Sequence, residues 1–173
     1  MRLVQLKTSQ KFSYYLLPIT LIVMGVIPLC FWIAGSTNHY FPPIAAILSG
    51  CTFLILAGLI FLAQKKALKF HSIDSDLDMK IKSKIVRDIL REHKWTYVKN
   101  EYNQIQAEGH GFRDTFDLRT WSELITILIE SDKIYVNSIC NPDGFFPQAI
   151  SFGKNKRNIG DFENLLLQKF NGL

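Results

Sequence analysis

The densest anion-binding chemistry in this sequence is Gly153-Lys154-Asn155-Lys156-Arg157-Asn158, which runs into a segment with helical apolar spacing. A glycine-containing turn can aim backbone N–H groups outward, and a helix start carries partial positive charge. Three cations beside such donors suit a phosphate or another anion: a lipid headgroup, a nucleotide or an acidic peptide. The ordinary alternative is a solvated basic turn with Asn158 as N-cap, and Asp161 three residues on gives a capping-box-like pair. Asn137, Asn141 and Asp143 border the same region if the preceding hairpin folds back onto it.

Catalytic chemistry is sparse. His110 stands close to Arg113, Asp114 and Asp117, and a His–Asp pair can serve as base and orienter. It lies between Gly109 and Gly111, the setting of a solvated turn histidine, with no nucleophile pattern beside it. No GxSxG elbow, HExxH, Walker or dinucleotide fingerprint occurs. Cys30, Cys51 and Cys140 form no CxxC pair, and His39, His71, His93 and His110 show no ligand spacing with them. The expectation is therefore no metal, no cofactor and no enzymatic activity. Unpaired thiols fit a reducing compartment.

The charge distribution places these residues. No Asp, Glu, Lys or Arg occurs over the 53 residues from Phe12 to Gln64. Residues 1–70 carry Arg2, Lys7, Lys11, Lys65, Lys66 and Lys69 and no acid, whereas residues 71–173 hold 14 basic and 15 acidic side chains, a net −1. The net charge of +5 comes from the flanks of the apolar run, which excludes a nucleic-acid-binding body. Within that run, residues 14–34 and 43–63 are each long enough to span a hydrocarbon core of about 30 Å as a helix. The loop between them (GSTNHYFP) has no cation, and aromatic residues flank both ends. These features predict a transmembrane hairpin with both termini cytoplasmic and the loop outside. Pro18 and Pro28 are expected to bend the first span. Ala46, Gly50 and Ala57 lie on roughly one face of the second span and suit close helix packing, within the hairpin or between copies in a homo-oligomer. Mid-membrane ionisable groups are absent, which argues against transport.

The expected organisation is a cytoplasmic segment 1–13, the hairpin 14–63, a juxtamembrane linker 64–78 and a cytosolic domain 79–173. Within the linker, Lys65, Lys66 and Lys69 read as an orientation signal at headgroup level. In the domain, 79–93 repeats apolar residues at helical spacing (Ile81, Ile85, Val86, Ile89, Leu90), with Ser75, Asp76 or Asp78 as cap. Lys80, Lys82, Lys84, Arg87 and Arg91 fill its solvent face. The period then changes to two: residues 95–99, 104–108, 123–130 and 133–140 read as strands, with 149–152 a short apolar piece. Segment 123–130 (ELITILIE) is apolar on both faces, which predicts a central strand covered on both sides. A last helix begins at Asn158 and turns Ile159, Phe162, Leu165, Leu166 and Phe170 inward. The fold class is α+β: a small antiparallel sheet flanked by helices behind the hairpin.

This layout, two N-terminal membrane helices and one β-rich cytosolic domain, resembles the short two-helix effectors of bacterial antiviral nucleotide signalling. The resemblance implies residence in a bacterial inner membrane, a ligand-binding soluble domain, and helices that assemble to damage the membrane. Two clear helices flanking the strands depart from that pattern and speak against a closed barrel. The primary expectation is a membrane-anchored binding or regulatory module, whose partners are the bilayer and a phosphate-bearing ligand or protein. A ligand-gated, membrane-disrupting effector is the alternative, and an enzyme acting on lipid through His110 or Asp114 is the third reading.

Overall fold

A computed structural model describes residues 2–35, 42–109, 123–143 and 154–172, and for Lys154 the backbone alone. His110, Arg113, Asp114, Asp117, Gly153 and the piece 149–152 lie outside the described residues. The described chain runs α1 (Thr8–Tyr14), α2 (Leu16–Ile33), α3 (Pro43–Ala67), β1 (His71–Asp74), α4 (Met79–Glu92), β2 (Thr96–Asn100), β3 (Gln104–Gly109), β4 (Glu123–Ile129), β5 (Lys133–Cys140) and α5 (Lys154–Asn171).

The helices α2 and α3 are both long and apolar enough to cross a membrane. Pro43 begins α3, where its missing N–H costs nothing. Pro18 sits in the first turn of α2 for the same reason, and Pro28 is carried inside the helix. The two helices run in opposite directions and touch at their backbones. A Cβ on Gly50 would lie 2.6 Å from Leu29 Cγ, and one on Gly25 would lie 2.9 Å from the Gly50 carbonyl oxygen. Ala46, Gly50 and Ala57 are all buried in this contact. Of the two packing roles open to these small residues, the structure uses the one within the hairpin. The outer faces stay apolar and exposed, as at Ile22, Val23, Ile27, Leu48, Ile55 and Leu59.

The five strands form one antiparallel sheet in the order β1-β5-β4-β3-β2. The strand β4 is central, as its two apolar faces require. One face carries Ile105, Ala107, Ile125, Ile127, Ile129, Ile134 and Val136 against Val86, Ile89 and Leu90 of α4 and Phe162 and Leu166 of α5. On the other face, Leu124 and Ile139 pack with Val4, Leu6, Tyr14 and Leu68. The N-terminal segment is thus a strap over the sheet: Leu3 bridges Lys69, and the Val4 N–H donates to the Leu68 carbonyl at 2.9 Å.

Three expectations are corrected. The linker 64–78 is mostly structured: α3 continues through Lys65 and Lys66 to Ala67, and His71–Asp74 is an edge strand paired with β5. Hydrogen bonding to a neighbouring strand gives a four-residue polar segment the order its own pattern does not announce. In α4, Asp78 is the cap, accepting from the Lys80 N–H at 2.7 Å, but Lys82 is fully buried and Ile81 is exposed. The Lys82 ammonium donates to the carbonyls of Ser75 (3.2 Å), Glu130 (2.7 Å) and Ser131 (2.7 Å), which fixes its position inside. Finally, α5 starts at Lys154, so Asn158 lies within the helix and is not its cap.

The end of α3 is held at two places, to the sheet by Asn137 and to α1 by Tyr14. Asn137, buried on β5, donates through Nδ2 to the carbonyls of Ala67 and Lys69, both at 2.7 Å, and so caps the end of α3. Tyr14 and Gln64 bond reciprocally: the phenol donates to the Gln64 carbonyl at 3.2 Å, and Gln64 Nε2 donates to the Tyr14 carbonyl at 2.7 Å.

Candidate functional site

The last turn of α3, the edge strand β1 and the first turns of α5 enclose a groove of about 550 Å3. Lys66 and Lys69 enter it from the α3 end, and Asn155 and Lys156 from α5, over an apolar floor that includes Ile159. His71 also lines it and faces Glu163 at 3.3 Å. The Asn137 bonds hold the backbone at Ala67 and Lys69, which fixes where Lys66 and Lys69 start from. Ser138, one residue along β5 and on the opposite sheet face, donates to Asn155 Oδ1 at 3.4 Å and seats the first turn of α5.

The structure divides the six residues singled out in the sequence. Asn155 and Lys156 line the groove. Arg157 is exposed and is not among its lining residues. Asn158 turns the other way: it is buried and donates to Glu123 and, at 3.3 Å, to Ser138. A side chain committed to β4 and β5 anchors the helix and is not offered to a ligand. Nor do Asn141 and Asp143 line the groove: Asn141 Oδ1 accepts from the Asp143 N–H at 3.0 Å, and the Asp143 carboxylate accepts from Gln10 of α1 at 2.6 Å.

Two groove lysines were legible only as a charge pattern. Lys66 and Lys69 share one sign with Lys156, but some 90 residues separate them, and only the pairing of β1 with β5 brings the α3 exit beside α5. Among the described residues the groove is lined by three lysines, Lys66, Lys69 and Lys156, against one carboxylate, Glu163, which faces His71. An anion placed there gains charge-assisted bonds. No group of three or more His, Cys, Asp or Glu able to hold a metal occurs among the described residues. No known protein family matches this chain, and no curated protein or solved structure matches it.

Proposed function

We propose that the protein is a membrane-anchored binding module. In this reading α2 and α3 cross a bacterial inner membrane as a hairpin, both chain ends lie in the cytoplasm, and the α+β body takes a phosphate-bearing ligand in the α3–α5 groove. The exposed apolar faces of both helices and the cation-free connecting loop support the span and its orientation. The observation that carries the binding role is the convergence of Lys66, Lys69 and Lys156 from two distant segments on one groove. Lysines at a helix exit also extend toward headgroups, so a bilayer-borne phosphate can reach the groove from its side.

The test uses the full chain in nanodiscs of neutral lipid, titrated with pyrophosphate. Lys66, Lys69 and Lys156 together changed to Gln should weaken binding by tenfold or more with the melting temperature unchanged. Equal affinity in that variant refutes the reading. Orientation is checked separately by thiol labelling of Cys introduced at residue 38 and at Lys156. Labelling of both from the same side excludes the hairpin.

A second reading, an effector that disrupts the membrane on ligand binding, has one observation in its favour. Asn137 connects the sheet directly to the end of α3, so a shift in the body is transmitted to that helix. Assembly of copies would have to use the outer faces, because Ala46, Gly50 and Ala57 are already consumed inside the hairpin. Ligand-dependent dye leakage from vesicles carrying the protein distinguishes this reading from simple binding.

A further inference from the structure

On the opposite face of the sheet from α4 and α5, the strap, with Lys11 of α1 and Tyr15, roofs a cavity of about 850 Å3. That size falls in the range of small-molecule sites, roughly 300–1,000 Å3. It shares no lining residue with the α3–α5 groove. Its floor is the outer face of β3 and β4, where Gln104, Gln106 and Thr126 stand together, Gln106 and Thr126 being direct cross-strand partners. Its roof is held by backbone bonds, Val4 N–H to the Leu68 carbonyl at 2.9 Å and Phe70 N–H to the Arg2 carbonyl at 3.4 Å.

We propose that this cavity binds a hydroxylated phosphate, a molecule or lipid headgroup that joins one phosphate to a short polyol. Two features carry the assignment. The first is unspent hydrogen-bonding capacity of both kinds. Among the described residues, Gln104 accepts from Lys99 at 3.0 Å but keeps its amide protons, whereas Gln106 donates to Thr126 over a long 3.4 Å and keeps its carbonyl oxygen. The Thr126 hydroxyl, almost fully buried, has no acceptor among the described residues. Hydroxyls donate and accept at once and so match such a wall, whereas ionised phosphate oxygens only accept. The second feature is charge. Lys11 lines the cavity and is paired with no acid among the described residues, and no carboxylate lines the cavity among them. Arg2 is spent on Glu130 and on the Tyr135 ring, 5.0 Å away, and so belongs to the wall.

The experiment uses the full chain in phosphatidylcholine nanodiscs, with calorimetric titration of sn-glycerol 3-phosphate, inorganic phosphate and glycerol. A second arm compares the melting temperature in discs doped with phosphatidylglycerol against phosphatidic acid, which carries phosphate without the hydroxyls. The expected result is glycerol 3-phosphate binding at least tenfold more tightly than phosphate or glycerol. Lys11→Gln and Gln106→Glu should each weaken it tenfold or more, with melting unchanged. Lys156→Gln, in the other groove, should leave it intact. Stabilisation by phosphatidylglycerol but not phosphatidic acid, lost in the same two variants, supports the site with lipid as its source. No preference for the hydroxylated probes in either arm overturns the proposal. So does a preference that survives both Lys11→Gln and Gln106→Glu, or one abolished by Lys156→Gln alone, which would move binding to the α3–α5 groove.

Discussion

Replacing Lys82 by Met tests whether a charged residue is a structural pin. The methylene stem is kept, while the three bonds to Ser75, Glu130 and Ser131 are lost. Those bonds join the loop before α4 to the β4–β5 turn. Two of the carbonyls belong to Glu130 and Ser131 at the half-exposed and exposed turn, where water replaces the ammonium. The Ser75 carbonyl belongs to a buried residue. Leaving a buried acceptor without its donor costs about 1–3 kcal/mol, and net bonds to a charged group contribute about 1.5–3 kcal/mol each. Removing the buried ammonium returns part of this, because its desolvation costs several kcal/mol. The balance is a loss of about 2–4 kcal/mol, a factor of roughly 30 to 1,000 in the folding equilibrium. Urea unfolding followed by the fluorescence of buried Trp95, in a chain with Trp32 and Trp121 changed to Phe, reads this directly. The exposed neighbour Lys80→Met is the control and should fall within about 0.5 kcal/mol of the parent. A Lys82→Met variant as stable as the control would refute the pin and leave the buried ammonium without a structural role.

Two further substitutions probe the junctions. Asn137→Leu removes the cap from α3 and orphans the Ala67 and Lys69 carbonyls, so the body should lose about 2–3 kcal/mol, and amide exchange should rise at residues 67–70. Exchange unchanged there would mean that the hairpin is held by the strap alone. Gly50→Val places new atoms where a Cβ alone would already meet Leu29 at 2.6 Å and the Gly25 carbonyl at 2.9 Å, so the hairpin should open at a cost of about 1–3 kcal/mol. Disulfide trapping between Cys placed at Leu21 and Ala57 should slow in that variant; an unaltered rate would show that the helices do not touch there.

The presence of two apolar helices, the antiparallel strand sequence and the central place of β4 were legible because each follows from a local period: an uncharged run of helix length, alternation by two, and a strand apolar on both faces. On α3 the small residues announce a close approach, within the hairpin or between copies, and it is the position of Gly25 against Gly50 that shows α2 making one. What local periods do not encode is which distant segments become neighbours. Lys82 reads as solvent-facing because its fixed partners, three carbonyls, carry no side-chain signature. Asn158 reads as a cap because Glu123 and Ser138 are more than 15 residues away. Residues 71–74 read as linker because an edge strand draws its order from β5.

The candidate site divides along the same line. By itself the sequence determined that cations gather near Lys154–Asn158 and at the exit of the second apolar segment, since composition and spacing are local properties. Only the tertiary structure decided that Lys66 and Lys69 share a groove with Lys156, that Arg157 and Asn158 do not, and that the N-terminal residues roof a polar cavity on the far side of the sheet. Those outcomes depend on strand pairing and on the bonds from Asn137 to the α3 end, long-range contacts whose free energy is set by geometry that no short window of residues contains.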